Sequence, residues 1–403
     1  MRTELSELAE KVYYSNGYSA RMDKNPGMYY KVGCNFSDDL IPKLAELNKK
    51  YKGKAQVKEL FGSDNAIDYD ENGNILLRHG ALTARPDWRV QHLDRKEFAA
   101  FVKKALDAGI VFNYTLNSIQ PYGSKIEMLK HRKQIVEFIG WLESIGVFRV
   151  TVANPMMMMF VREASSTLRI EVSCITHIDT VTQIKYLYDQ FHIDKVCCSI
   201  LKNRNKKFLK NASKFCNENN ITFELLANEM CGNGGDGYAT HCVYRDSCYL
   251  CHATNVTKED SMAYHNYPMQ FCMTSRNDNK ESWLKMRWIR PEDQKYYQKL
   301  GLNYFKVSGR TGSTDYVIKT LESYMAQSYN GNLIELWKPL ETITNGQKES
   351  EFKAVTNIPN KKLDGFIDHW IGDNVENFDC ADEICGTTCN YCHNFYNKHI
   401  LNK

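Results

Sequence analysis

The residues of this chain most able to do chemistry are its cysteines, 14 in 403 residues, and most of them fall into two groups. The first comprises Cys231, Cys242, Cys248, Cys251 and Cys272. Thiolates close in sequence and joined by glycine-rich backbone can converge on one inorganic centre, and four of them are the usual holder of a four-iron, four-sulfur (4Fe-4S) cluster. Five candidates leave one surplus, so Cys231, Cys242 and Cys272 with either Cys251 or Cys248 make the predicted set. Cys248-x-x-Cys251 also has a zinc-knuckle spacing, which keeps a tetrahedral zinc site open, as does simple burial of the thiols. Gly232-Asn-Gly234-Gly-Asp-Gly237 imitates a dinucleotide fingerprint. No apolar helix follows it, so the glycines are read as slack for a ligand-bearing loop.

The second group is Cys380, Cys385, Cys389 and Cys392, four thiols on short polar linkers. Such density predicts a metal centre, either a second 4Fe-4S cluster or zinc. Cys385-x3-Cys389-x2-Cys392 looks like the radical S-adenosylmethionine motif. That motif follows a first barrel strand and leaves one iron open. Here it lies near the end of the chain, with Cys380 at hand to close the site. The expectation is a closed centre that relays electrons or braces the tail.

Something must position these loops. Short runs rich in β-branched and aromatic residues alternate with helix-period segments, which predicts βα units around a parallel sheet. The predicted strands are 29–34, 56–61, 110–116, 147–153, 168–174, 195–200, 221–227 and 303–308. The predicted helices are 39–51, 95–108, 127–144, 155–164, 181–191, 205–219, 292–300 and 314–329. Eight such units predict an α/β fold, a TIM-like (β/α)8 barrel. Residues 1–27 are then an N-terminal extension, 28–330 the barrel with inserted loops at 62–93 and 228–290, and 331–403 a C-terminal appendage.

Chemistry in such barrels sits at the C-terminal ends of the strands. Lys306 and Arg310 end the last strand, a point charge beside a bidentate fork, suited to a carboxylate or phosphate. The alternative is an internal ion pair of these cations with Glu59 or Glu229. Glu59, Asn113 and Asn154 join them as catalytic candidates, and Asn117, Glu229 and Arg290 as substrate-binding ones; the asparagines could equally satisfy buried backbone. Met156–Met159 reads as helix core, and of the histidines only His241, beside Cys242, stands near a candidate ligand.

Composition excludes several classes. Hydrophobic residues at 43% and charged ones at 25% allow a sizeable core and rule out fibrous or disordered chains. A net charge of +4 does not announce a nucleic-acid binder. No run approaches the roughly 20 apolar residues of a membrane helix, and the N-terminus lacks a signal core, which predicts a cytoplasmic protein without membrane contact. A hydrolytic peptidase needs an activated nucleophile or a metal-bound water, and no motif for either is present.

Glu224-Leu-Leu-Ala-Asn-Glu-Met-Cys231, Arg290-Pro-Glu292, and Phe305-Lys306-Val-Ser-Gly309-Arg310 followed by a helix with Tyr324 together resemble peptidase family U-32, the collagenase-like group. Gly109-Ile-Val-Phe-Asn113-Tyr-Thr-Leu-Asn117 and Val150-Thr-Val-Ala-Asn154-Pro155 are similar to its clostridial-type branch. The resemblance spans about residues 28 to 330. It implies a TIM-like barrel whose loop after the seventh strand holds an iron-sulfur cluster. It also implies oxygen-independent hydroxylation, known in the family on ubiquinone precursors, a transfer-RNA wobble uridine and a ribosomal cytidine, with prephenate as oxygen donor for some members. Ser308 stands where most members have Glu, and the cysteine spacing after Cys231 differs. The expected function is therefore an iron-sulfur enzyme acting on an anionic small molecule or RNA-linked base, served by an electron-donor protein and a second family-related subunit. The alternatives are a collagenase-like peptidase or a non-catalytic iron-sulfur or zinc partner subunit.

Overall fold

All eight predicted runs form strands and close into one barrel. The structure, a computed structural model, describes residues 3–25, 27–84, 92–228, 231, 279–310, 312–337 and 356–401. The barrel strands are β1 (Met28–Gly33), β2 (Ala55–Gly62), β5 (Val111–Leu116), β6 (Arg149–Val152), β7 (Arg169–Val172), β8 (Lys195–Cys197), β9 (Thr222–Leu226) and β10 (Tyr304–Val307). They are parallel and ordered β1-β10-β9-β8-β7-β6-β5-β2, with β1 and β2 closing the ring. A hairpin of β3 (Ile67–Tyr69) and β4 (Ile75–Arg78) lies in the first long connection, where no strand was predicted.

Helices flank the barrel between strands: α2 (Leu40–Lys50), α3 (Arg95–Asp107), α4 (Lys125–Lys130), α5 (Arg132–Ser144), α6 (Pro155–Ala164), α7 (Val181–Phe191), α8 (Lys206–Glu218), α9 (Ser282–Lys285), α10 (Gln294–Gln298) and α11 (Thr314–Met325). The single predicted helix 127–144 is two, α4 and α5, broken at His131. The Tyr122 ring stacks on His131 at 4.0 Å, and the imidazole turns back onto the Glu127 carbonyl at 2.9 Å. The N-terminal helix α1 (Glu4–Tyr13) leads into the barrel floor. There Tyr13 stacks on Phe148 at 4.4 Å and Lys58 donates to the Tyr13 carbonyl at 3.0 Å.

Strand residues alternate sharply. Those such as Val32, Leu60, Phe112, Val150, Ile170, Val196, Leu225 and Val307 are buried in one apolar core with the helices. Their neighbours Lys31, Glu59, Asn113, Arg149, Glu171, Lys195 and Glu224 are polar, buried and turned into the barrel, since they meet partners on strands that are not adjacent. The appendage docks on the β8 and β9 side. Phe366 stacks on Trp288 at 5.7 Å, and Asp379 pairs with Lys202 at 2.8 Å.

The β3–β4 hairpin is pinned by His79, whose two ring nitrogens meet Asp64 at 2.5 Å and Asp68 at 3.1 Å. Burial opposes its charge, but the two carboxylates prevail and raise its pKa to about 8. A raised histidine stabilises the fold fully below its unfolded value, about 6.5, and that stabilisation is lost as pH rises through the folded value. Thermal melts should show a loss of about 2 kcal/mol between pH 6.5 and 9. His79→Gln should melt with no such slope; an equal slope in both proteins would refute the assignment.

Candidate active site

The barrel interior is a sealed ionic lattice. Glu59 accepts from Arg149 at 2.5 Å, Lys195 at 2.9 Å, Tyr304 at 2.7 Å and Asn113 at 2.9 Å. Asn113 also donates to Glu171 at 2.8 Å and accepts from Thr151 at 2.7 Å. Lys31 bridges Glu171 and Glu224, the latter at 2.8 Å, and Lys195 meets Glu224 at 2.6 Å. Burial disfavours charge at Glu59, yet Arg149, Lys195 and Lys31 hold its pKa well below the usual carboxylate range. Burial likewise opposes the charge on Lys31, and Glu171 and Glu224 raise its pKa all the same. Glu59 and Asn113 are thus completely used by the fold. The sequence reading placed both among the catalytic candidates; the structure places their bonds within the lattice. The predicted alternative, Glu59 as partner of Lys306 or Arg310, is not the pairing found, because other cations already occupy it.

Above this lattice the mouth is cationic. Lys306 lies over the Phe61 ring at 4.4 Å and forms an ion pair with no carboxylate among the described residues. Arg310 donates to the Thr115 hydroxyl at 2.9 Å. Two glycines allow Arg310 to fold over the strand ends. Gly309 has φ +146°, and a Cβ on Gly33 would lie 2.6 Å from the Arg310 nitrogen. Asn228 stitches the two adjacent loop starts together, accepting from the Ser308 amide at 2.7 Å and donating to the Ser308 carbonyl at 2.9 Å. Sequence reasoning missed Asn228, Thr115 and Phe61 as site-forming groups, although Asn228 lies inside the motif that ends at Cys231.

Three thiols gather at the same rim. Cys174 and Cys231 pack against the buried patch of Cys197, Ile200 and Leu226. The adjacent Cys174 thiol, together with burial, pushes the Cys197 pKa well up. Donor atoms of Glu171, Cys197 and Glu224 lie within 4.8 Å of one another, a set compatible with a metal site. Lys31 and Lys195 already neutralise both carboxylates. Cys231 is the only described member of the first cysteine group; Cys242, Cys248, Cys251, Cys272 and Glu229 lie outside the described residues. No disulfide joins two of the ten described cysteines.

Other predicted site residues serve local structure. Asn154 caps α6 through the Met156 amide at 2.8 Å and donates to the Ile119 carbonyl at 2.9 Å, on the wall of a 720 Å³ cavity beside the mouth. Asn117 accepts from the Ala84 amide at 3.1 Å. Arg290, predicted to bind substrate, instead faces the appendage. It grips Asp293 through two bonds of 2.9 and 2.8 Å and reaches Asp364 at 3.0 Å and the Asn360 carbonyl at 2.8 Å. Its donors are engaged there, which corrects that expectation. Cys380, Cys385, Cys389 and Cys392 do come together, around a 270 Å³ cavity that also includes Glu281, Lys285 and Arg287. The ring nitrogens of His79, His131 and His393 pair with carboxylates, a carbonyl and an amide, none with Ser or Cys as a hydrolytic dyad would require.

A TIM-like barrel with a cationic, thiol-rimmed mouth defines the class. No family model matches the chain. Over 274 residues it is 24% identical to an uncharacterized protease of Methanocaldococcus jannaschii, covering 66% of this chain and 71% of that protein. Among solved structures, the U32 peptidase Mk0906 aligns with a TM-score of 0.43 and 12% identity, over 70% of this chain and 92% of that one. The crystal structure of AsfvAP:AG aligns with a TM-score of 0.39 and 12% identity, over 75% and 97%. The chain resembles peptidase family U-32, with the motifs that carry the resemblance lying along and just beyond β5, β6, β9 and β10. No helix among the described residues is long and apolar enough to cross a membrane.

Proposed function

We propose that the barrel mouth is the active site of an iron-sulfur enzyme that hydroxylates, or otherwise redox-modifies without oxygen, an anionic small molecule or RNA-linked base. The observation that carries this reading is that Lys306 and Arg310, at the end of β10, and Cys231, beyond β9, stand at the same end of the barrel, whose interior is already balanced in charge. Lys306 supplies a cation that no carboxylate among the described residues neutralises, and Arg310, steered by Thr115, supplies a planar fork. Together they bind and orient a carboxylate or phosphate. Phe61 closes the floor between the two lysines, 5.3 Å from Lys31 and 4.4 Å from Lys306, and keeps the site dry below. Cys231, half-buried at the rim, fits the start of a thiolate ligand set completed by Cys242, Cys272 and Cys248 or Cys251. A cluster held there would supply single electrons at the mouth.

The test is iron, acid-labile sulfide and zinc per chain after anaerobic purification, paired with Arg310→Ala and Cys231→Ser. Arg310→Ala should keep its iron and lose product; Cys231→Ser should lose about four irons and four sulfides. Zinc without sulfide in the wild type, or cleavage of collagen-like peptides undiminished in Cys231→Ser, would sink the reading in favour of hydrolysis.

A further inference from the structure

The appendage carries a second cluster of chemistry that the barrel mouth does not use. Cys380, Cys385, Cys389 and Cys392 line the 270 Å³ cavity together with Arg287 and the ion pair of Lys285 with Glu281 (3.0 Å), which belong to the segment that leads into the last βα unit. Residues 384–389 form a tight knuckle. The Thr387 and Thr388 amides both return to the Ile384 carbonyl at 3.0 Å, and Gly386 takes φ +85° so that Cys385 and Cys389 project from one turn. Trp370 donates its indole N–H to the Cys380 sulfur at 3.0 Å.

Two observations select the occupant. The first is charge. Arg204 and Arg287 are 2% and 3% exposed, and neither forms an ion pair with a carboxylate among the described residues. Nε and Nη2 of Arg204 and Nη2 of Arg287 are buried without a hydrogen-bond partner. Arg204 lies over Trp370 at 4.4 Å and Trp288 at 4.7 Å, beside the thiol pocket. Two buried guanidiniums without a counter-charge are strongly unfavourable unless an anion sits nearby. The second is spacing. Thiolates on one zinc ion, with Zn–S near 2.3 Å, lie about 3.8 Å apart. No three of these four sulfurs lie within 4.8 Å of one another. All four line one cavity, and thiolates on the separate corners of an iron-sulfur cube stand farther apart than those on one zinc ion.

We infer that Cys380, Cys385, Cys389 and Cys392 hold a closed 4Fe-4S cluster that fastens the appendage to the barrel. The oxidised cube with four thiolates carries a double negative charge, and Arg204 with Arg287 supplies the matching double positive charge. Cys380 is the fourth ligand, fixed by the Trp370 N–H, so no iron is left open for S-adenosylmethionine. Because residues 281–287 and the tail both line it, an occupied cavity ties the two together.

The inference is independent of the reaction at the mouth, and the test keeps them apart. Anaerobically purified full-length Cys385→Ser/Cys389→Ser should carry about four fewer irons and sulfides than wild type. Cys231→Ser should retain those same irons. Trypsin should cut the double variant within 356–401 faster than wild type. Trp370→Phe, which keeps the ring and removes the N–H···S bond, should hold its iron while the reduction potential of this centre moves negative. The electron paramagnetic resonance signal of reduced Cys231→Ser should not change on adding S-adenosylmethionine. Stoichiometric zinc lost with the double variant, iron content indifferent to it, or a signal perturbed by S-adenosylmethionine would each overturn the assignment.

Discussion

Replacing Glu59 by alanine is expected to cost the fold about 3–5 kcal/mol, a large part of the stability of any domain. The carboxylate is fully buried and is the meeting point of Arg149, Lys195, Tyr304 and Asn113. Its removal leaves Arg149 with only Asp194 at 2.7 Å, and Lys195 with Glu224 and a longer 3.6 Å approach to Glu171. Glu59→Gln keeps the shape and should still lose most of this, because the charge is what balances the two cations. Urea titrations of Glu59→Gln, Lys195→Met and the double variant would measure the coupling. The double variant should be more stable than the sum of its parts, since it removes one charge of each sign. Additive losses, or an alanine variant that melts with the wild type, would show that the lattice is not what holds the barrel centre. Depressed carboxyl groups stabilise above their unfolded pKa and lose that effect as pH falls toward the folded value, so acid unfolding should begin near the unfolded glutamate value, about 4.3, and grow below it.

Lys306→Met is expected to do the reverse: little change in stability and a loss of product on the order of 10²-fold, the scale of removing one charge-stabilising group from a dry site. The physical contrast is plain in the structure. Lys306 is the register partner of Lys31 on the neighbouring strand. Lys31 pairs directly with Glu171 and Glu224, whereas Lys306 lies over an aromatic face and makes no direct ion pair among the described residues, its charge reaching Glu171 only at longer range. Methionine keeps the stem and its contact with Phe61. Comparative mass spectrometry of small molecules and digested RNA from cells carrying wild type, Lys306→Met and Arg310→Ala would read the effect. Unchanged product with an unchanged melting curve would remove Lys306 from the site and turn the mouth into a contact surface.

Local pattern was enough for the barrel itself. Runs such as Val111–Leu116 and Arg149–Val152, each followed by an amphipathic segment, specify strands and their order because periodicity and chain connectivity are properties of the sequence alone. Lys306 and Arg310 at the end of the last strand, and the tail cysteines as one cluster, were legible for the same reason: each depends on position within or just beyond a short segment. What the chain would do with Glu59, Asn113 and Arg290 was not legible. Lys31, Glu59, Arg149, Glu171, Lys195 and Glu224 each place a charge inside a largely apolar strand, a signal that was present and not decisive. Only closure of the ring brings six distant strands to a common axis and converts six isolated charges into a balanced lattice. Cys174 and Cys197 gave no spacing signal, since one lies just beyond β7 and the other at the end of β8, and they meet Cys231 only across the rim. The same holds for Arg204 and Arg287, which are remote in sequence from the tail thiols and become their neighbours only when the appendage docks. Sequence determines which groups are available and on which strand end they stand; the tertiary structure decides which of them are already neutralised, and so which are left to meet a ligand.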